Sequence, residues 1–186
     1  MACHGGFALD EKTRREWYNP EQILRDIGLK ENMVFMDIGC GPGFFTLLAA
    51  QTVGEKGVVY AVDADAKAIE KLKAQSQEKG LTNIRAKAAP AEETVFCTAC
   101  ADIVFYSMAL HDFHDPLKVL ENARKMVKPT GILANVDWKK TPMKFGPPDC
   151  IRFSEEKASD LMEKAGFSVQ SVRDVGKHHY LVVGKP

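Results

Sequence analysis

The sequence predicts an α/β fold, a mostly parallel sheet with helices on both faces and an antiparallel end. Three observations predict it. Short β-branched or aromatic apolar runs alternate with longer stretches of helical period. The run Ala101 to Met108 (ADIVFYSM) is almost continuously apolar, as expected of a mid-sheet strand covered on both faces. The last two strand-like segments are joined only by Asp174 to Lys177, too short for the crossover that parallel neighbours need, so they must be antiparallel.

The elements follow in order. Met33 to Ile38 is the first strand; a glycine cluster at 39 to 43 ends it, and FFTLLAAQTV continues as a helix that stops at Gly54. The second strand, Val58 to Val62, runs into Asp63-Ala64-Asp65. Its helix sets Ile69 and Leu72 one turn apart and ends at Gly80. Asn83 to Ala88 and Ala101 to Met108 are strands three and four. Asp115 supplies an N-cap and Pro116 a first helical residue, with Leu117, Leu120 and Val127 as a buried stripe up to Lys128-Pro129. Gly131 to Asp137 is the fifth strand. Residues 138 to 150, with Pro142, Gly146, Pro147 and Pro148, form an irregular crossover of the kind that often builds a site. Ser154 caps a helix carrying Ala158, Leu161, Met162 and Ala165 on one face. Phe167 to Arg173 and His179 to Val183 complete seven strands. One domain, 1–186, is expected, with residues 1 to 19 ahead of the first unit and Trp17 and Tyr18 folding over its rim.

Composition narrows the partners. A chain of 186 residues, 45% apolar and 27% charged, has the usage of a folded globular protein and not of a disordered one. Lys plus Arg and Asp plus Glu both total 25, so no net field draws it to nucleic acid or acidic lipid, and a small neutral or mixed partner is expected. No signal-like or membrane-spanning apolar run occurs, which places the expectation in the cytoplasm. Five scattered cysteines, Cys3, Cys40, Cys97, Cys100 and Cys150, are an odd number and are expected to be reduced thiols. Cys97, Cys100, His111 and His114 have zinc-like spacing. An intervening strand would hold the two pairs more than roughly 20 Å apart, so no metal is expected.

The candidate ligand site is Asp37-Ile38-Gly39-Cys40-Gly41-Pro42-Gly43, after the first strand, where open α/β sheets bind ligands. Glycines 39, 41 and 43 bare the backbone for close approach, and the following helix presents free N–H groups. A nicotinamide fingerprint wants glycine at 44, which is Phe44, and a P-loop wants Gly-Lys-Ser/Thr, which is missing. A smaller or less anionic adenosyl ligand than a pyrophosphate is therefore favoured. Asp63, ending the second strand, is positioned to accept both ribose hydroxyls.

The segments MDIGCGPGFFT and VYAVDAD resemble the opening of class I S-adenosylmethionine-dependent methyltransferases, and SMALHDFHDPLKVLENARKMVKPTGIL resembles the fourth-strand to fifth-strand region of the small quinone-biosynthesis-like (type 11) members. The likeness covers about residues 30 to 137. It implies a Rossmann-like sheet and S-adenosylmethionine as cofactor, held by Asp37, Gly39, Cys40, Gly41, Gly43, Asp63, Ala64, Ala91, Tyr106 and Ser107. PAEETVFCTACAD overlays the family's adenine-contacting segment, with Pro90 where an Asp is expected and the Ala91 N–H left for the ring nitrogen.

The activity it implies is methyl transfer to a small-molecule acceptor by in-line displacement. The acceptor would lie under residues 138 to 150 and the N-terminal segment. His111, with Asp112 and His114 beside it, is a candidate base near the acceptor. Asp137 and Trp138 end the fifth strand at the same rim, where Trp138 either walls the acceptor pocket and faces the sulfonium or plugs the core. Lys139, Lys140 and Lys144 either meet an anionic acceptor or are simply solvated. His178 and His179 are expected to be structural. A noncatalytic cofactor-binding module and an NAD-dependent oxidoreductase remain as alternatives.

Overall fold

The computed structural model describes residues 11–186, so residues 1 to 10 of the N-terminal segment, and Cys3 with them, lie outside the described residues. Seven strands form one sheet in the order β3-β2-β1-β4-β5-β7-β6. In chain order they are β1 Val34–Ile38, β2 Val58–Asp63, β3 Ile84–Ala88, β4 Ala101–Ser107, β5 Val127–Trp138, β6 Ser168–Val175 and β7 His179–Lys185. β1 to β5 run parallel, and β7 lies antiparallel between β5 and β6. The fold class is the one expected, with β4 in mid-sheet between β1 and β5. The helices are α1 Glu11–Trp17, α2 Pro20–Asp26, α3 Phe44–Val53, α4 Ala66–Glu78, α5 Pro116–Met126 and α6 Glu155–Lys164.

Strand alternation sorts side chains to two cores. Phe35, Val59, Phe105, Val136 and Leu181 face α1 to α3, whereas Met36, Val104, Tyr106, Leu133 and Val182 face α5 and α6. α4 adds Ile69 and Leu72 over Ala61. This double cover is why the middle strands carry unbroken apolar runs.

Three readings are corrected. α1 and α2 were not anticipated, although Asn19-Pro20 marks α2 as clearly as Asp115-Pro116 marks α5: the Asn19 side chain accepts from the Gln22 N–H, and Pro20 is the first helical residue. β5 begins at Val127, not at Gly131. Val127 pairs with Ala101 and Ile132 with Ile103, so a bulge carries Pro129 and Thr130 out of the ladder. Finally, Cys97 and Cys100 are joined in a disulfide instead of being free thiols: their loop turns back so that the Cα atoms are 6.1 Å apart, within bridging range. Cys40 is free and buried.

Helix α1 is docked rather than loose. Trp17 stacks on Phe145 (4.7 Å between centroids) and meets Trp138 edge-on (5.4 Å). The backbone of Trp17 lies so close to Gly176, in the β6–β7 turn, that a Cβ there would sit 2.0 Å from the Trp17 carbonyl oxygen. The crossover 138 to 150 is irregular, as its prolines require, and Arg152 holds it. This buried guanidinium donates to the carbonyls of Pro147, Thr141 and Phe145. Among the described residues no helix is long and apolar enough to cross a membrane.

Candidate active site

Loops leaving the carboxyl ends of β1, β2, β3 and β4 enclose a cavity of about 410 Å³, a size that suits a small organic ligand. β1 contributes Asp37 and the loop from Gly39 to Gly41, and β2 contributes Asp63 and Ala64. The turn after β3 brings Pro90, Ala91 and Glu92; the segment after β4 brings Ser107, Met108, Ala109, Asp112, Phe113 and His114. Arg14 of α1 and Phe44 and Phe45 of α3 close the remaining side.

The glycine loop divides its tasks. Gly39, Gly41 and Gly43 all have positive φ (74°, 53° and 97°), where other residues are strained. A Cβ at Gly39 would fall 2.5 Å from Cβ of Ala109, and one at Gly43 would fall 2.4 Å from Cδ1 of Leu72. Those two glycines therefore serve packing. At Gly41 a Cβ would meet nothing within 4 Å. Gly41 is thus the glycine that bares backbone toward the cavity, and Gly43 does not line it.

The loop's own N–H groups are already used. Gly39 and Cys40 both donate to the Val62 carbonyl, Gly43 to the Cys40 carbonyl, and Gly41 to Oδ2 of Asp63 at 2.7 Å. α3 starts without a side-chain cap, so the amides of its first turn remain for a ligand. Oδ1 of Asp63 accepts from the Asp65 N–H, so both oxygens are aimed by the backbone while each keeps a lone pair. The 3₁₀ turn Ala91–Glu93 is pinned from α5, whose Asn122 amide donates to the carbonyls of Ala91 and Glu92. Glu92 in turn accepts from the N–H groups of His114 and Asp115. Met108, in the left-handed region at φ 54°, turns the chain out of β4 and across the cavity.

Asp37 is almost fully buried. The Thr46 hydroxyl donates to its Oδ2 at 2.6 Å, and its Oδ1 has no hydrogen-bond partner. Burial pushes its carboxyl up to about 7, with the Thr46 hydrogen bond opposing. Burial, helped by the charges of Asp37 and Asp63, also pushes the Cys40 thiol up, which makes it a poor nucleophile. Tyr18, buried beside Ser107, is pushed up to about 12 by desolvation.

The other expected residues lie off the cavity. His111 and Asp137 are buried and bonded to each other, Nδ1 to Oδ1 at 2.7 Å, and neither lines it. Burial lowers the His111 pKa, but the Asp137 carboxylate outweighs burial and holds it above its ordinary value. Nε2 of His111 lies 3.5 Å from Oδ1 of Asp112, which does line the cavity. Trp138 is packed among Trp17, Phe145 and His179, and the Tyr106 hydroxyl faces away to the Val119 carbonyl. Lys139 is paired with Asp174 at 2.6 Å. His179 is wholly buried, which pulls its pKa down to about 3 and keeps the ring neutral. Among the described residues no cluster of three or more His, Cys, Asp or Glu side chains could hold a metal ion.

Arg14, Glu92 and Phe113 line the cavity and were missed. Glu92 stood in the segment already singled out, next to Ala91. Arg14 had no local signal, since nothing in its spacing tells that α1 packs over Phe44 at the start of α3.

The comparisons with known proteins agree with this geometry. A family model described as a methyltransferase domain matches residues 29–173. The chain is similar to a demethylmenaquinone methyltransferase of Geobacillus stearothermophilus, 24% identical over 126 residues that are 68% of this chain and 53% of that one. It is also similar to the nocamycin O-methyltransferase of Saccharothrix syringae, 24% identical over 123 residues that are 65% of this chain and 44% of that one. It thus spans about half the length of the curated relatives it matches. Among solved structures it resembles a SAM dependent methyltransferase from Aquifex aeolicus, with a TM-score of 0.88 and 31% identity, covering 95% of this chain and 98% of that one. With the family model over most of its length and this near-complete structural match, the chain belongs to the class I S-adenosylmethionine-dependent methyltransferases.

Proposed function

We propose that this chain transfers the methyl group of S-adenosylmethionine to a small-molecule acceptor by in-line displacement. The observation that carries this reading is the charge of the cavity. Its wall holds Asp37, Asp63, Glu92 and Asp112, and the four N–H groups of the glycine loop are consumed internally. A pyrophosphate would meet the four carboxylates of this wall, with only the uncapped amides of the first turn of α3 to offset them, which disfavours a nicotinamide dinucleotide. A sulfonium, an ammonium and ribose hydroxyls suit such a wall.

The residues present fit the cofactor. The unpartnered Oδ1 of Asp37 is an acceptor waiting for a donor, Gly41 leaves open space where any side chain would project, and Asp63 and Glu92 offer carboxylate lone pairs for hydroxyls. Gly39, Cys40, Ala64, Ala91 and Ser107 complete the cofactor wall, while Gly43 and Tyr106 act behind it through packing. When bound, the cofactor supplies an activated methyl group on a good leaving group. The protein's work is to hold the acceptor in line with it and exclude water. Asp112 and His114 are the wall's titratable groups beyond the cofactor residues, and they are the ones placed to take a proton from an acceptor that must lose one. His111 and Asp137 act as positioning residues that tie the 109–113 segment to the end of β5. The relatives named for demethylmenaquinone and nocamycin support a small organic acceptor, as does the zero net charge.

Calorimetry with S-adenosylhomocysteine and NADH tests the cofactor reading: the first should bind and the second should not, and the reverse overturns it. Transfer of label from methyl-labelled S-adenosylmethionine to phenols, quinols and amines then tests catalysis. Tight binding with no labelled product across the set would leave a binding module in place of an enzyme.

A further inference from the structure

Buried polar atoms that the fold leaves unused collect on one face of the sheet end. Among the described residues, the Tyr18 hydroxyl, the Ser107 hydroxyl and both ring nitrogens of His179 are enclosed and make no hydrogen bond. The register puts the last two on that face: Ser107 ends β4 opposite Val136, Trp138 follows two residues along β5, and His179 stands opposite Trp138. Asn135 and the second oxygen of Asp137 are also unpartnered, but strand alternation turns them to the other face. Tyr18 follows α1 and covers the first face. Its ring lies parallel to Phe45 at 6.2 Å and edge-on to Phe44 and His179, at 6.3 and 5.0 Å between centroids. Phe44, Phe45 and Ser107 all line the cavity, so the Tyr18 hydroxyl, beside Ser107, stands directly behind its wall. An enclosed hydroxyl with no partner costs the fold stability, and native proteins keep few of them without a use. Three such side chains from distant parts of the sequence, meeting at one wall, fit a ligand that completes their bonds.

We propose that Tyr18 and Ser107, with His179 behind them, bind the acceptor through a hydroxyl or oxyanion carried on a flat aromatic or enolic frame, and reject an acceptor that presents an ammonium. The inference rests on the methyltransferase reading above and names the class of acceptor for that site. Two hydroxyls and a neutral imidazole both donate and accept, so they match an acceptor hydroxyl in either protonation state. The charges that face them are positive. Burial raises the Tyr18 pKa, while Arg14 and the Ser107 hydroxyl favour its ionised form. Burial above all, then the charges of His178, Arg14, Arg152 and Lys139, keep His179 unprotonated. An ammonium would meet like charge here and find no carboxylate among the three side chains. The flanks are aromatic, Phe44 and Phe45 on the cavity side and Trp138 against His179 at 4.3 Å, which suits a flat apolar body behind the hydroxyl.

Binding tests this without the native acceptor. With S-adenosylhomocysteine saturating the protein, tryptophan fluorescence follows titration with hydroquinone, benzyl alcohol and benzylamine, the last two matched in shape. Benzyl alcohol should bind at least about tenfold tighter than benzylamine at pH 7. Tyr18→Phe keeps the ring packing and removes only the hydroxyl. It should weaken hydroquinone and benzyl alcohol by roughly 2- to 10-fold, the value of one neutral hydrogen bond, and leave S-adenosylhomocysteine within about twofold. Its thermal midpoint should not fall, because the hydroxyl bonds to nothing in the folded chain. Ser107→Ala should weaken the same two hydroxyl probes by a similar factor. Equal binding of benzyl alcohol and benzylamine, no binding of either hydroxyl probe, or undiminished binding in Tyr18→Phe would overturn the proposal. So would a lowered midpoint in Tyr18→Phe, which would make the hydroxyl a part of the fold. If the unmodified protein does not bind S-adenosylhomocysteine, the cofactor reading fails and takes the proposal with it, a result distinct from the others.

Discussion

Two alanine substitutions two positions apart should fail in opposite ways, because the glycine loop uses Gly41 for the ligand and Gly43 for itself. At Gly41 the added methyl meets no protein atom within 4 Å, so the cost to folding is the left-handed backbone alone, about 1 to 2 kcal/mol. The same methyl projects where the ligand must approach, and cofactor affinity should fall by at least about tenfold, the scale of a lost close contact. At Gly43 the backbone cost is similar, but the methyl also lands 2.4 Å from Cδ1 of the fully buried Leu72. Overpacking adds about 1 to 3 kcal/mol, for a total of about 2 to 5 kcal/mol. Gly43 does not line the cavity, so the folded fraction should bind nearly normally. Urea denaturation and calorimetry with S-adenosylhomocysteine on both variants measure the four quantities. The division of labour is refuted if Gly41→Ala binds as the parent does, or if Gly43→Ala loses affinity while keeping its stability.

Asp63→Ala should weaken S-adenosylhomocysteine by about 1.5 to 3 kcal/mol, and unchanged affinity in a folded variant would remove Asp63 from the ribose end. Asp37 holds its proton up to about 7 when folded, against an ordinary value near 4, so the native state binds more protons between those limits and stability should drop as pH rises through them. Asp37→Asn should abolish that part of the slope, at most about 1.4 kcal/mol per pH unit; parallel slopes from pH 5 to 7 in parent and variant would contradict it. His111→Ala leaves buried Asp137 with only the Trp138 N–H on Oδ1, and should cost about 3 to 5 kcal/mol at pH 6. Because the His111 pKa is raised, its stabilisation is complete below the ordinary histidine value and lost as pH rises through the folded one. The gap between parent and variant should therefore narrow by pH 9, and a constant gap would show the pair's charge to be irrelevant.

Local chemistry wrote most of this fold into the chain. Apolar runs of period two, glycine stops and the Asp115-Pro116 cap mark elements by interactions within a few residues, so β1 to β4, α3 to α6 and the β6–β7 hairpin were legible without a structure. The glycine loop and Asp63 were legible for the same reason: a strand end followed by a bare turn is a local event. What tertiary structure decided is which distant groups meet. No spacing relates Arg14 to Asp37, and only the packing of Trp17 on Phe145 and against Gly176 brings them to one cavity. His111 and Asp137, 26 residues apart, look like independent rim residues in sequence; folding joins them in a buried pair off the cavity, while Asp112 and His114 line it. The direction in which a side chain points at the end of a strand depends on register and on what covers it, and those are properties of the assembled sheet.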